Sequence, residues 1–176
     1  MYGFQSWLAS RGQAVALALD ERSERICDHA AARFAEQYPT LMLDLPRPDA
    51  EMFQQLAFRE TPRRLHRLLQ VALRFQTLAV IEREYRWSWG ILPRFGITLA
   101  HMHALARTYF ESARVLVMFD QTDRPYFELL EMNVLQLIER SAPMDQLRVH
   151  LPQQRYYANG HANGHSNGHS NGHAVH

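Results

Sequence analysis

The spacing of apolar positions predicts a chain that is helical through almost all of its body. No segment alternates apolar and polar residues cleanly enough for a strand, and Asn-Gly pairs occur only near the C-terminus. A first helix is predicted over about residues 2–20 and a second over 21–38. Pro39 stops the second helix, whose apolar face recurs at four-residue steps through Ile26, Ala30, Phe34 and Tyr38.

Proline, glycine and threonine mark the helix boundaries further along the chain. Residues 43–48 are predicted as a loop, helix resumes near Asp49, and the Thr-Pro pair at 61–62 begins a new helical segment. A further helix is predicted over about residues 79–95, with Pro93 bending its last turn. After Gly96, Thr98 caps a long helix with the buried stripe Leu99, Met102, Ala106, Tyr109, Ala113 and Leu116.

A last helix is predicted over about residues 123–140, which completes an all-α single domain over residues 1–150. From Asn159 the chain repeats Asn-Gly-His four times with no large apolar side chain. Such a segment cannot bury enough surface to offset its ordering entropy, so residues 151–176 are predicted to be a disordered tail. Glycine in every repeat leaves its histidines without a rigid scaffold, and no metal site is predicted.

Composition changes this picture little. The 19 basic and 18 acidic side chains give a net charge of +1, which demands neither a nucleic-acid nor an anionic-membrane partner. No apolar run approaches the ~18 residues of a membrane span, and the N-terminus lacks the pattern of a signal peptide. Cys27 is the single cysteine and is predicted to be a buried, inert thiol. We therefore expect a cytoplasmic protein.

Sequence signals for common catalytic and metal sites are missing. There is no Gly-x-Gly-x-x-Gly, no Gly-Lys-Ser/Thr loop and no Glu-x-x-His. His101 and His103 lie two positions apart on a predicted helix and point roughly 200° apart, so they cannot share a metal ion. His103 is predicted to lie among apolar core residues and His101 to face solvent.

Arginines and aromatic residues form the most informative pattern. Four arginines fall within about 80° of one another on a predicted helix, at Arg59, Arg63, Arg67 and Arg74. They form either a solvated basic face or a wall that binds carboxylates through bidentate pairing. An aromatic cluster follows at Tyr85, Trp87, Trp89 and Phe95. It is either part of the core or a pocket for a flat π-system with propionate side chains.

In order and spacing, residues 4–117 resemble a phycobiliprotein subunit. The Ala-Phe-Arg-Glu segment at 57–60 falls where that family has its chromophore-attachment segment Cys-x-Arg-Asp. Ile-Glu-Arg at 81–83 resembles the family's Ile-Glu-Glu, and Phe-Gly-Ile-Thr at 95–98 resembles its Leu-Gly-Thr-Pro corner. Residues 4–10, 24–26 and 30–39 resemble elements of its first two globin helices. The resemblance implies a globin-like helical domain of phycobiliprotein type.

Two features differ from the phycobiliprotein pattern and indicate which members of that family the chain resembles. The family's N-terminal helical pair, used in subunit pairing, has no counterpart before Phe4, and Ala57 stands where the attachment cysteine would be. In these respects the chain resembles the bilin biosynthesis-associated globins. That implies non-catalytic, non-covalent binding of a bilin (biliverdin or a reduced derivative), as a carrier or a sensor. A homodimer or contacts with bilin-pathway proteins are compatible with this resemblance.

The resemblance also implies roles for individual residues. Arg59 would pair with a propionate of the linear tetrapyrrole, and Glu60 would accept hydrogen bonds from the N–H groups of the middle pyrrole rings. Arg63 and Arg67 are candidates for the second propionate. The aromatic residues expected around the pocket are Tyr85, Trp87 and Trp89.

Two other functions remain open within the same fold. One is a haem-free sensor globin of the stressosome type, which acts through protein partners. The other is a haem globin, but its axial histidine would come from the helix before Gly96, and residues 79–95 contain none. His66 and His103 would then be the remaining candidate ligands.

Overall fold

A computed structural model describes residues 2–42, 59–144 and 146 of the chain. These residues form six α-helices and no strand, so the predicted all-α class is confirmed for the described part. The helices are α1 (Tyr2–Asp20), α2 (Ser23–Gln37), α3 (Thr61–Arg74), α4 (Ala79–Ser88), α5 (Leu99–Leu116) and α6 (Arg124–Ser141). Short 3₁₀ turns cover Pro39–Met42 and Leu92–Phe95. None of the described helices is long and apolar enough to cross a membrane.

Several sequence predictions lie outside the described residues. They are the loop at 43–48, the helix beginning near Asp49, the Ala57-Phe58 half of the attachment-like segment, and the tail at 151–176. Arg59 and Glu60 are described and lie immediately before α3.

Helix α5 packs against α2, α3 and α6. The apolar stripe predicted for it is buried from Leu99 to Ala113, and Leu116 at its end is partly exposed. α6 adds Leu130, Val134, Leu137 and Ile138 to the same core, as its 3.6-residue periodicity predicted. α1 packs on α3 and α6, while α4 packs on α3 and α6 from another side.

Helices α1 and α3 cross at a very short distance. A Cβ atom at Gly12 would lie 2.5 Å from the backbone oxygen of Leu73, so only glycine fits this crossing. One turn further along, the side-chain amide of Gln70 donates a hydrogen bond of 2.8 Å to the backbone oxygen of Ala16. The close approach leaves the opposite face of α3 free to meet α4 and α5.

A buried carboxylate ties α1 to the beginning of α6. The indole Nε1 of Trp7 donates to Asp123 Oδ1 at 2.9 Å, and Arg11 donates to both oxygens of the same carboxylate. These hydrogen bonds, led by those from Arg11, lower the pKa of Asp123 from its usual value. Asp120 pairs with the same arginine at 2.7 Å but lies at the surface.

The segment before α5 differs from its prediction. The α-helix that begins at Ala79 ends at Ser88, not near residue 95, and the chain continues through a turn into the 3₁₀ turn at Leu92–Phe95. That turn begins at Leu92, and Pro93, its second residue, cannot donate the hydrogen bond that a continuing α-helix needs. Gly96, with φ of 74°, then reverses the chain before α5.

Candidate ligand-binding site

A cavity of about 360 Å³ lies between α3, α4 and α5. Its described wall is largely apolar and aromatic, and α2 closes one side with Phe34. Its apolar and aromatic lining includes Leu65, Leu68, Tyr85, Leu92, Phe95 and Met102. A volume of this size falls in the range of about 300–1,000 Å³ that is usual for small-molecule sites.

Helical periodicity explains which side chains face the cavity. On α3, four lining residues fall at i, i+3, i+4 and i+7 and therefore share one face: Thr61, Arg64, Leu65 and Leu68. Arg67, three residues after Arg64, lines the cavity as well. On α4, Glu84, Trp87 and Ser88 fall at i, i+3 and i+4, and with Tyr85 they form the facing wall. The site is therefore built from one face of each helix, and the 3₁₀ turn after α4 adds its apolar residues.

Charged side chains lie together at the end of the cavity near the beginning of α3. Arg64 forms an ion pair with Glu84 on α4, and the centre of its guanidinium group lies 5.0 Å from the centroid of the Trp87 ring. This distance is typical of a cation–π contact. The guanidinium group is thus held by a carboxylate and by an indole, and all three side chains line the cavity.

Glu60 forms the second acidic position of the cavity. Its two carboxylate oxygens lie 3.5 Å from Arg63 and 3.5 Å from Arg67. Arg63 is directed toward α2, where it donates a hydrogen bond of 2.7 Å to Glu24. That hydrogen bond is the main cause of a raised pKa for Arg63. Arg67 and Glu60 line the cavity, whereas Arg63 is not among its lining residues.

His101 also lines the cavity, contrary to the prediction that it faces solvent. It is half-buried in the first turn of α5, where its Nδ1 accepts a hydrogen bond of 3.1 Å from the backbone N–H of Thr98. Thr98 caps the helix as predicted. Burial lowers the pKa of His101, opposed by a hydrogen bond with the backbone of Gly96. His103 is partly buried beside a polar groove between α2 and α5.

Of the seven residues predicted to bind the cofactor, some line the cavity and others do not. Four of them line the cavity: Glu60, Arg67, Tyr85 and Trp87. Arg59 is exposed and outside the cavity lining, and Arg63 turns toward α2. Trp89 is buried against α6, where its Nε1 donates to Ser141 Oγ at 3.2 Å. The binding role of each residue stays a prediction.

Three titratable residues of the cavity were not among the predicted site residues: Arg64, Glu84 and His101. Two signals could have identified Arg64. It shares the i, i+3, i+4 and i+7 face of Thr61, Leu65 and Leu68, and it lies next to the chosen arginine stripe. Nothing in the sequence pairs it with Glu84, because that contact depends on how α3 and α4 pack.

Two further groups of chemical interest lie in the core, outside the lining of this cavity. Cys27 is buried as predicted, and burial raises the pKa of its thiol to about 12, so it stays protonated near neutral pH. His66 Nδ1 lies 2.7 Å from the hydroxyl of Tyr109, and both residues are buried. Burial lowers the pKa of His66, which favours the neutral imidazole in the folded protein.

Comparisons of this chain with protein-family models, with curated proteins and with solved structures found no match. A function is therefore inferred from the side chains that line the cavity. Three of its properties matter: largely apolar and aromatic walls, two arginines, and a glutamate paired with each arginine. Such a site suits a flat, largely apolar molecule that carries carboxylates.

Proposed function

We propose that this protein binds a linear tetrapyrrole non-covalently in the cavity between α3, α4 and α5. The observation that carries the proposal is the meeting of aromatic walls with Glu60 and Arg67 at one cavity. A bilin presents an extended π-system, propionate groups and convergent pyrrole N–H groups, and each has a chemical counterpart there. The protein would bind, shield or hand on the pigment without a chemical step.

We propose further that the fold is globin-like, of the phycobiliprotein type. The helix order and the left-handed corner at Gly96 before α5 support this interpretation. The resemblance in sequence gives the same corner to residues 95–98. An all-α domain with a cavity between crossing helices is a suitable scaffold for a tetrapyrrole.

Glu60 would control the protonation state of the bound pigment. Its carboxylate accepts hydrogen bonds and carries the negative charge that stabilises a cationic bilin in a largely apolar site. Arg67 lies 3.5 Å from the same carboxylate and can turn toward a propionate, since its side chain is largely exposed. Arg59 retains a predicted propionate contact, but it is exposed and outside the cavity lining.

The test is a pH titration of the absorption spectrum of biliverdin bound to the wild-type protein and to Glu60→Gln. Loss of the charge should lower the pKa of the bound pigment by more than one unit, which corresponds to about 1.4 kcal/mol or more. At neutral pH the red band should weaken and shift toward the blue. The far-ultraviolet circular dichroism must stay unchanged for the comparison to count.

Glu24→Gln is a matched control, because Glu24 pairs with the same Arg63 as Glu60 but is not among the residues that line the cavity. This variant should keep the wild-type spectrum and the wild-type pKa of the pigment. A Glu60→Gln protein that binds biliverdin with an unaltered spectrum and pKa would show that Glu60 does not contact the pyrrole N–H groups.

A haem globin is the second candidate, because His101 lies on the cavity wall and imidazole is a common axial ligand of haem iron. Reconstitution with haem separates the two. A Soret band that shifts when His101 is replaced by alanine would favour haem, whereas a sharpened red band with biliverdin favours the bilin. A protein that takes up neither pigment would favour the haem-free sensor.

A further inference from the structure

Among the described residues, Arg64 contacts two side chains of the cavity wall, whereas Arg67, the other arginine of the cavity, pairs with one. The Arg64 side chain is 51% exposed, and it is bound both to Glu84 and to the face of Trp87. Arg67 is 66% exposed, and the Glu60 oxygen it pairs with is 3.5 Å away. A guanidinium group fixed by two neighbours loses less conformational freedom when it binds an anion. Arg64 is therefore the better-prepared anion site.

Glu84 already presents to Arg64 the group that a ligand would bring. Its side chain is 22% exposed, and its carboxylate pairs with the guanidinium inside the cavity wall. A ligand carboxylate can replace this carboxylate like for like, while the Trp87 contact continues to hold the arginine. An ester or an amide cannot replace the Glu84 carboxylate, because it lacks the negative charge. Arg64 would then stay paired with Glu84.

We propose that Arg64 is the carboxylate anchor of the cavity and that Glu84 is its internal competitor. The site then selects ligands in which a carboxylate is joined to an aromatic or apolar body, and Trp87 keeps the anchor oriented while the two carboxylates exchange. The identity of the ligand as a bilin rests on the proposed function. The anchor itself rests only on the contacts among Arg64, Glu84 and Trp87.

The experiment compares biliverdin with its dimethyl ester on the wild-type protein, Arg64→Gln and Glu84→Gln. Arg64→Gln should weaken binding of the acid by about tenfold, the usual effect of losing a hydrogen bond to a charged group, and leave the ester nearly unchanged. Glu84→Gln should strengthen binding of the acid several-fold, because the competing carboxylate is gone. This second variant keeps the arginine and its contact with Trp87.

Helix α4 offers a matched control pair. Glu82 and Arg86 form an ion pair of 2.8 Å at i and i+4 on the same helix, and neither lines the cavity. Glu82→Gln and Arg86→Gln remove the same kinds of charge and should change neither affinity. An equal effect of the control and cavity variants would assign the change to the net charge of the protein and overturn the anchor.

A second probe pair, 1-pyrenebutyrate and its methyl ester, separates this inference from the tetrapyrrole proposal. Biliverdin could fail to bind while pyrenebutyrate binds more weakly to Arg64→Gln and more tightly to Glu84→Gln. That result would contradict the tetrapyrrole proposal and support Arg64 as the carboxylate anchor. The anchor is overturned if Arg64→Gln weakens acid and ester equally, or if Glu84→Gln weakens binding of the acid. The anchor is also overturned if the wild-type protein binds neither biliverdin nor 1-pyrenebutyrate.

Discussion

The buried carboxylate of Asp123 should contribute more to stability than any exposed ion pair of this protein. It accepts the Trp7 indole N–H at 2.9 Å and two hydrogen bonds from Arg11, at 2.8 and 3.2 Å. Asp123→Ala would leave the indole N–H buried without this acceptor, which costs about 1–3 kcal/mol. With the loss of the charged acceptor, we expect a total decrease of about 2–4 kcal/mol in the free energy of unfolding.

Asp120→Ala is the matched control, because Asp120 pairs with the same Arg11 at 2.7 Å but its side chain is 70% exposed. Water screens that pair, so the control should lose far less stability. Urea denaturation followed by tryptophan fluorescence and circular dichroism measures both variants. Equal losses in the two variants would refute the argument from burial.

Acid provides an independent test of the same contact. The pKa of Asp123 is lower in the folded protein than its usual value of 3.8, mainly through its hydrogen bonds with Arg11. Its charge therefore stabilises the fold above pH 3.8, and this contribution is lost as the pH falls through the lowered folded pKa. The difference in the free energy of unfolding between the wild-type protein and Asp123→Ala should therefore decrease as the pH falls from 3.8 through the lowered folded pKa. A difference that stays constant there would contradict the assigned contact.

Two further predictions concern the helix interfaces. Gly12→Ala should lower the free energy of unfolding by about 1–3 kcal/mol, since the new Cβ would lie 2.5 Å from the Leu73 backbone oxygen; Gly3→Ala, which meets its neighbours at ordinary distances, should not. Burial lowers the pKa of His66 below 6.5, so stability should decrease as the pH falls from 6.5 through the folded pKa. Urea titrations at several pH values should show a smaller decrease in His66→Gln, and parallel curves would contradict this.

The sequence alone determined where most helices lie. The predicted first helix matches α1, and the predicted last helix matches α6 to within one residue. Local signals suffice for this because a helix depends on backbone hydrogen bonds and side-chain spacing among near neighbours. The predicted end of α4 was wrong because Pro93 was expected to bend the last turn of the helix, whereas the α-helix ends at Ser88 and Pro93 lies in a 3₁₀ turn that begins at Leu92.

The site was predicted only in part. Glu60 was chosen from the resemblance to the phycobiliprotein attachment segment, and Tyr85 and Trp87 were chosen as part of an aromatic cluster; all three line the cavity. Their role with a bilin stays a prediction. Trp89 was grouped with the same aromatic residues, yet it is buried against Ser141 on α6. Residue type cannot distinguish a tryptophan in the core from one in a cavity wall, because both are largely apolar.

Only the tertiary structure decided which helix each face of α3 meets. Arg63 and Arg64 are adjacent in sequence and about 100° apart on the helix, and each pairs with a different neighbour. Arg63 pairs with Glu24 on α2, whereas Arg64 pairs with Glu84 on α4 and lines the cavity. Helical periodicity fixes the angle between two side chains on one helix. Which neighbouring helix each side chain meets depends on how the helices cross. Here the crossing is set by contacts between residues far apart in the chain.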